Sequence, residues 1–185
     1  MDKGNDYYNR FLQGDKDALG QLVSVYNQRL ILFLFGLVQD WETAQDLAAD
    51  TFCYLLVKKP SFREEAKFKT WLFRIAKNKA IDFLRKQRRY PEISIDGTEF
   101  DLPHFDLPEM RLEKEETKRK LYAALQTLPQ NYRSVLTLLY FEDMSYKQAA
   151  QVLKKSEKQI KNDAYRARQA LRTACQKEGI ENAFE

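Results

Sequence analysis

Histidine, cysteine, glycine and proline are all scarce in this chain of 185 residues, which has one His, two Cys, six Gly and five Pro. Cys53 and Cys175 lie far apart without zinc-ligand spacing, and the lone His104 has no Cys or Ser partner near it. These absences exclude a zinc module, a disulfide framework and a nucleophile–histidine pair as organising chemistry. No apolar stretch approaches the roughly 18 residues of a membrane span, and the candidate Leu30–Val38 is far too short. The opening MDKGNDYYNR has no apolar signal-peptide core, so a cytoplasmic protein with two buried or idle thiols is expected. Alternating apolar and polar runs are missing too, whereas segments of helical periodicity are long, which predicts an all-α fold. The length suits one domain or two small ones, and 44% hydrophobic residues suffice for real cores.

What the chain does have is charge sorted into blocks. The net charge is only +4, yet Lys58–Arg89 carries twelve basic residues against three acidic ones. Asp40–Val57 before it has four acids and no base. Tyr90–Glu116 after it holds nine acids against Arg111 and Lys114, and is interrupted by Pro91, Gly97, Pro103 and Pro108. Ser145–Lys177 turns basic again, nine against two. The Pro-interrupted acidic part is expected to be a flexible linker at residues 90–111, between helical domains at 1–89 and 112–185. It is either a solvated spacer or an acidic mimic of nucleic acid.

The basic block is the most informative stretch: FREEAKFKTWLFRIAKNKAIDFLRKQRR, Phe62–Arg89. Leu72, Ile75, Ala76, Lys79 and Phe83 fall near one side of a helix, as packing requires. Trp71, Arg74, Asn78, Arg85 and Arg89 fall on another. Bases neutralise phosphates and aromatic faces accept unstacked nucleobases, so a surface for single-stranded nucleic acid competes here with plain core packing. Upstream, Asp15–Val38 has Leu19, Leu22, Val23, Tyr26, Leu30 and Phe33 at helical intervals. Asp40 is the expected N-cap of a helix ending near Lys58–Lys59, before Pro60. On it Glu42, Asp46 and Asp50 form one acidic stripe, either a solvated face or a dock for a basic partner. A straight stripe does not converge oxygens on a metal ion.

Two capping boxes stand close together in the C-terminal half, Ser145-x-x-Gln148 and Ser156-x-x-Gln159. A short helix with Ala149, Ala150 and Leu153 inward is followed by a three-residue turn, Lys154–Ser156. In the next helix Ile160, Ala164, Ala167 and Leu171 make an inner stripe, leaving Lys158, Lys161, Asn162, Tyr165, Arg166, Gln169 and Arg172 outward. This is the layout of a helix-turn-helix whose second helix enters a major groove, without the usual glycine in the turn. Pro129 suits the first helical position of a preceding helix. Val135, Leu136, Leu138, Leu139, Tyr140 and Phe141 are expected in the core.

These segments together resemble the extracytoplasmic-function sigma factors of the sigma-70 family. In region 2 the likeness is carried by Gly14–Tyr26, by Asp40–Phe52 with AQDL at its centre, and by F.....F.TWLF.IA.N...D.LR..R at Phe62–Arg88. In region 4 it is carried by L..LP...R.VL.L.YFE.MSY...A..L at Leu125–Leu153 and IKNDAYRARQALR at Ile160–Arg172. The resemblance implies a protein that brings core RNA polymerase to promoters. Asp40, Glu42, Asp46, Leu47 and Asp50 would dock on the clamp helices of the largest polymerase subunit. Phe62, Arg63, Lys67, Phe68, Lys69, Thr70, Trp71, Arg74, Lys77 and Asn78 would hold the melted −10 strand. Lys161, Asn162, Tyr165 and Arg166 would read duplex −35 DNA, with Ser156 and Arg168 on its backbone. An anti-sigma factor is the further partner implied, and no cofactor, metal or enzymatic activity is. The chain departs from the family at Asp163, where a base is common, at Gln45, where glutamate is common, and at Gln148-Ala149, which replaces a frequent Glu-Ile. Two other readings stay open on the residues alone: a helix-turn-helix regulator that never touches polymerase, and a nucleic-acid enzyme needing convergent carboxylates.

Overall fold

The computed structural model describes residues 3–62, 67–89, 115–177 and 179–180. Among them every regular element is helical. The first four helices are α1 (Lys3–Leu12), α2 (Lys16–Val38), α3 (Trp41–Lys58) and α4 (Phe68–Arg89). The second four are α5 (Glu115–Gln126), α6 (Gln130–Leu136), α7 (Tyr146–Leu153) and α8 (Glu157–Lys177), with a π-helical turn at Thr137–Phe141 extending α6.

Local chemistry sets the boundaries. Asp15 caps α2 by accepting from the amides of Asp17 and Ala18 at 3.0 and 3.3 Å. Arg10 at the end of α1 grips the same carboxylate at 2.6 Å and holds it below its usual pKa range. Asp40 caps α3 as expected, accepting from the Thr43 amide at 2.7 Å. The helix stops where Lys59 turns left-handed (φ 42°), ahead of Pro60. Pro129 sits at the N-cap of α6, one position earlier than its sequence suggests.

The helix α1 was not visible in the sequence pattern, and it matters. Tyr8 and Phe11 are buried, and Tyr8 donates its hydroxyl to the Pro60 carbonyl at 2.7 Å. Gly4 permits the approach of α1 to α4. A Cβ there would lie 2.6 Å from both the Phe68 ring and the Tyr26 hydroxyl. In α2, by contrast, length and composition alone would allow a membrane crossing, longer than the apolar run Leu30–Val38 within it. Half of its most apolar window is buried in the protein, with Leu22, Leu30, Phe33 and Leu34 in the core.

The main core crosses the expected domain boundary. It joins α1–α4 to Val135, Leu138, Met144, Ala149, Val152, Leu153, Ile160 and Ala164 of the C-terminal half. A smaller cluster lies wholly in that half, built from Leu121, Ala124, Leu125, Leu128, Leu136, Ala167, Leu171 and Cys175. Two helical units are thus present, docked along α2·α6 and α4·α7. The acidic stretch expected as a linker lies outside the described residues.

Candidate nucleic-acid and polymerase interfaces

On α3 the acidic stripe of Glu42, Asp46 and Asp50 faces solvent, and Asp40 at the N-cap is exposed too. Leu47, grouped with them in the sequence reading, points the other way and is buried with Ala44, Ala48 and Phe52. An i, i+4, i+8 stripe keeps one azimuth, whereas Leu47 follows Asp46 by about 100° onto the core face. Beyond Asp50 the same side becomes apolar, with Cys53 exposed and Val57 72% exposed.

The expected −10 residues separate into buried and open ones. Phe68 is fully buried, its ring packed on Tyr8, Tyr26, Phe62 and Trp71 at centroid distances of 5.3 to 5.8 Å. Thr70 is buried as well. Trp71, placed by spacing on a side that packing did not explain, is half-buried against Tyr8 and Phe62, both at 5.3 Å. The explanation is α1, which brings Tyr8 to that side. Phe62 and Asn78 are half-buried, Lys67 and Arg74 are exposed, and Arg63 lies outside the described residues.

The remaining two, Lys69 and Lys77, are engaged by the C-terminal unit. Lys69 lies 3.1 Å from the Glu142 carboxylate and also donates to the Glu142 carbonyl. Arg29 of α2 approaches the same carboxylate oxygen at 3.4 Å. Glu142 is only 2% exposed, and burial pushes its carboxyl up while Lys69 and Arg29 pull it back. Lys77 is buried and donates to the Leu153 carbonyl at 3.0 Å, where the negative end of α7 favours a cation. Burial, then Lys154 and Lys155, lower its pKa. Arg133 completes the seam. Its Nε donates to the Gly36 carbonyl near the end of α2 at 3.0 Å, and its Nη1 donates to the Gln126 and Leu128 carbonyls. Glu142, Arg29 and Arg133 were not singled out from the sequence. Arg29 and Arg133 each stand far from any other charge in the sequence, the one signal that could have marked them as buried partners, whereas Glu142 has Asp143 beside it.

The helix-turn-helix forms as its capping boxes predict. The Ser145 hydroxyl accepts from the Gln148 amide at 3.2 Å, and the Gln148 side-chain oxygen accepts from the Ser145 amide at 2.8 Å. Ser156 and Gln159 repeat the pattern. Lys154, left-handed at φ 55°, fills the place of the missing glycine. Ile160, Ala164, Ala167 and Leu171 are buried, and Ser156, Lys161, Asn162, Tyr165, Arg166 and Arg168 are exposed, Tyr165 at 60%. Asp163 does not face outward alone. Its carboxylate pairs with Lys155 across the turn at 2.7 Å. Tyr140, expected in the core, is 48% exposed, whereas Val135, Leu136 and Leu138 are buried. The wide π turn shifts register between them. Among the described residues no group of three or more His, Cys, Asp or Glu is placed to hold a metal ion.

A two-unit helical protein with an outward basic helix after a tight turn belongs to the class of helix-turn-helix DNA-binding proteins. Comparison with known proteins narrows this. Residues 22–90 match sigma-70 region 2 and residues 118–171 match sigma-70 region 4. The chain is 31% identical to the RNA polymerase sigma-H factor of Pseudomonas aeruginosa over 175 residues, 90% of this chain and 91% of that one. It is likewise 31% identical to the ECF RNA polymerase sigma factor SigM of Bacillus subtilis over 157 residues, 84% and 93% of the two chains. Among solved structures it resembles CnrH in complex with the cytosolic domain of CnrY, with a TM-score of 0.66 at 23% identity over 95% of this chain and 99% of that one. The sigma factor RpoE of Bartonella quintana, in complex with the anti-sigma factor NepR, gives 0.67 at 23% over 85% and 96%. The chain belongs to the extracytoplasmic-function sigma factors of the sigma-70 family, DNA-binding proteins of transcription initiation.

Proposed function

We propose that this chain binds core RNA polymerase and directs it to promoters, reading duplex −35 DNA with α8 and holding the unpaired −10 strand on α4 and the loop before it. The observation that carries the reading is the division of exposed surface within one chain. An acidic stripe on α3 offers a dock for a basic partner, and the outward face of α8 offers Lys161, Asn162, Tyr165 and Arg166 to a groove. Between them, Lys67 and Arg74 stay open beside the aromatic cluster of Phe62 and Trp71. Binding energy on that surface offsets the few kcal/mol of unstacking and unpairing a base. The chain itself is assigned no covalent step. An anti-sigma partner, such as NepR is for its sigma factor, belongs to the same proposal.

Transcription by core polymerase with and without the purified protein tests the reading. Promoter-specific transcripts are expected only with it, and the same yield from core alone would end the proposal. Gel filtration with core polymerase separates it from a regulator that acts alone. A stable complex is expected, weakened by Asp46→Lys.

A further inference from the structure

Arg29 and Lys69 reach one carboxylate oxygen from two helices of the N-terminal unit, at 3.4 and 3.1 Å. The carboxylate, Glu142, belongs to the other unit. An anionic oxygen between a guanidinium and an ammonium has the charge and placement of a phosphate oxygen in the same position. Glu142 Oε2 is buried and lies within reach of both cations, Lys69 at 3.1 Å and Arg29 Nε at 3.4 Å. Both cations meet the carboxylate at this single oxygen, a charge-assisted contact that another anionic oxygen could replace. Lys77 is occupied by the C-terminal unit too, through the Leu153 carbonyl. The outward face of α8 is left untouched by this docking.

We propose that Arg29 and Lys69 form a phosphate site for the unpaired DNA strand, and that Glu142 occupies it in the docked arrangement as an internal substitute for phosphate. The inference rests on the assignment of α4 to the −10 strand and extends it. Arg29, on α2, becomes a strand-binding residue, and Glu142 becomes its competitor. The docked protein is then half competent: it presents α8 to duplex DNA but withholds Arg29, Lys69 and Lys77 from single strands. Undocking releases all three cations together, and the apparent strand affinity is set by the undocked fraction.

The test uses the full chain as wild type, Glu142→Ala, Glu142→Lys, and Arg29→Gln combined with Glu142→Ala. Small-angle X-ray scattering reports docking. Anisotropy of fluorescein-labelled random-sequence DNA, single-stranded and duplex, reports binding, and circular dichroism checks folding. Glu142→Ala is expected to expand the molecule and raise single-strand affinity about tenfold by lifting the conformational penalty, with duplex affinity unchanged. Should Glu142→Ala stay compact, Glu142→Lys places a third cation in the seam and forces the opening. In the Glu142→Ala background, Arg29→Gln should make the salt dependence shallower by about 0.7 in slope, one single-strand phosphate contact. Expansion without a gain in strand affinity overturns the proposal, as does an unchanged salt slope or a wild type that is already extended. If wild type binds the strand and the Glu142 variants bind no better, only this proposal falls. If no form binds it, docked or open, the assignment of α4 falls with it.

Discussion

The side-chain oxygen of Asn5 accepts a hydrogen bond from the Phe68 amide at 2.9 Å, so a residue near the chain start caps the first turn of α4. The bond spans 63 positions and fixes α4 just where its basic and aromatic residues begin. Replacing Asn5 by Ala leaves that amide without its partner. The expected loss is about 1 kcal/mol, seen as a lower melting temperature with faster hydrogen exchange confined to the first turn of α4. Uniform exchange across the bundle would argue against a local cap.

Trp71 and Arg74 separate support from contact. Trp71 packs against Tyr8, Phe62 and Phe68, so Trp71→Ala should destabilise the fold by about 2 kcal/mol. It should also impair opening of the −10 region more than binding of duplex −35 DNA. Arg74 is exposed, so Arg74→Ala should weaken strand binding with no change in thermal stability. Permanganate footprinting of the opened region and thermal melts measure the two effects separately.

Asp163 neutralises Lys155 at the mouth of the helix-turn-helix. Asp163→Ala frees that ammonium for a DNA phosphate. Duplex binding should tighten, and the slope of log affinity against log salt should steepen by about 0.9. Titrations at several salt concentrations read the slope directly, and an unchanged slope would mean that Lys155 stays off the DNA.

Tyr8 gives the fold an alkaline limit. Its phenol is pushed from 10.0 up to about 12, first by burial and then by Tyr54. A raised pKa on a buried acid means that the neutral form is the one folding prefers. The contribution is whole below pH 10 and lost as pH rises through about 12. Tyr8→Phe should cost about 1 kcal/mol near neutral pH, where the bond to the Pro60 carbonyl is missing. It should also flatten the loss of stability between pH 10 and 12. Denaturant melts across that range decide it.

Periodicity and capping carried most of the fold. Asp40, Ser145 and Ser156 cap as their sequence context predicts, and the inner stripe from Ile160 to Leu171 is buried. These are local effects, set by residues within a turn or two of each other. The packing of Trp71, Lys69 and Lys77 was not legible because their partners lie far along the chain. Nothing near Trp71 announces that Tyr8 covers it, and nothing near Lys69 or Lys77 announces Glu142 or Leu153. Leu47 is buried directly after the exposed Asp46, so a motif written by position takes in buried neighbours along with surface ones. The outward face of α8 needed no such knowledge, since an inner stripe defines its opposite.

Between α6 and α7 the chain makes one wide turn, in which the Glu142 amide donates to the Thr137 carbonyl five residues back at 3.0 Å. Counted as length, that turn holds one residue more than an α-helix would use. Removing any one residue from it would let the ordinary ladder close and would rotate the C-terminal remainder of the chain by about 100°. The caps at Ser145 and Ser156 would survive, and so would the stripe beneath α8. Glu142, however, would swing away from Arg29 and Lys69, leaving two sound halves out of phase. The meeting of the halves thus depends on a residue count, a quantity that no single substitution can probe and a one-residue deletion can.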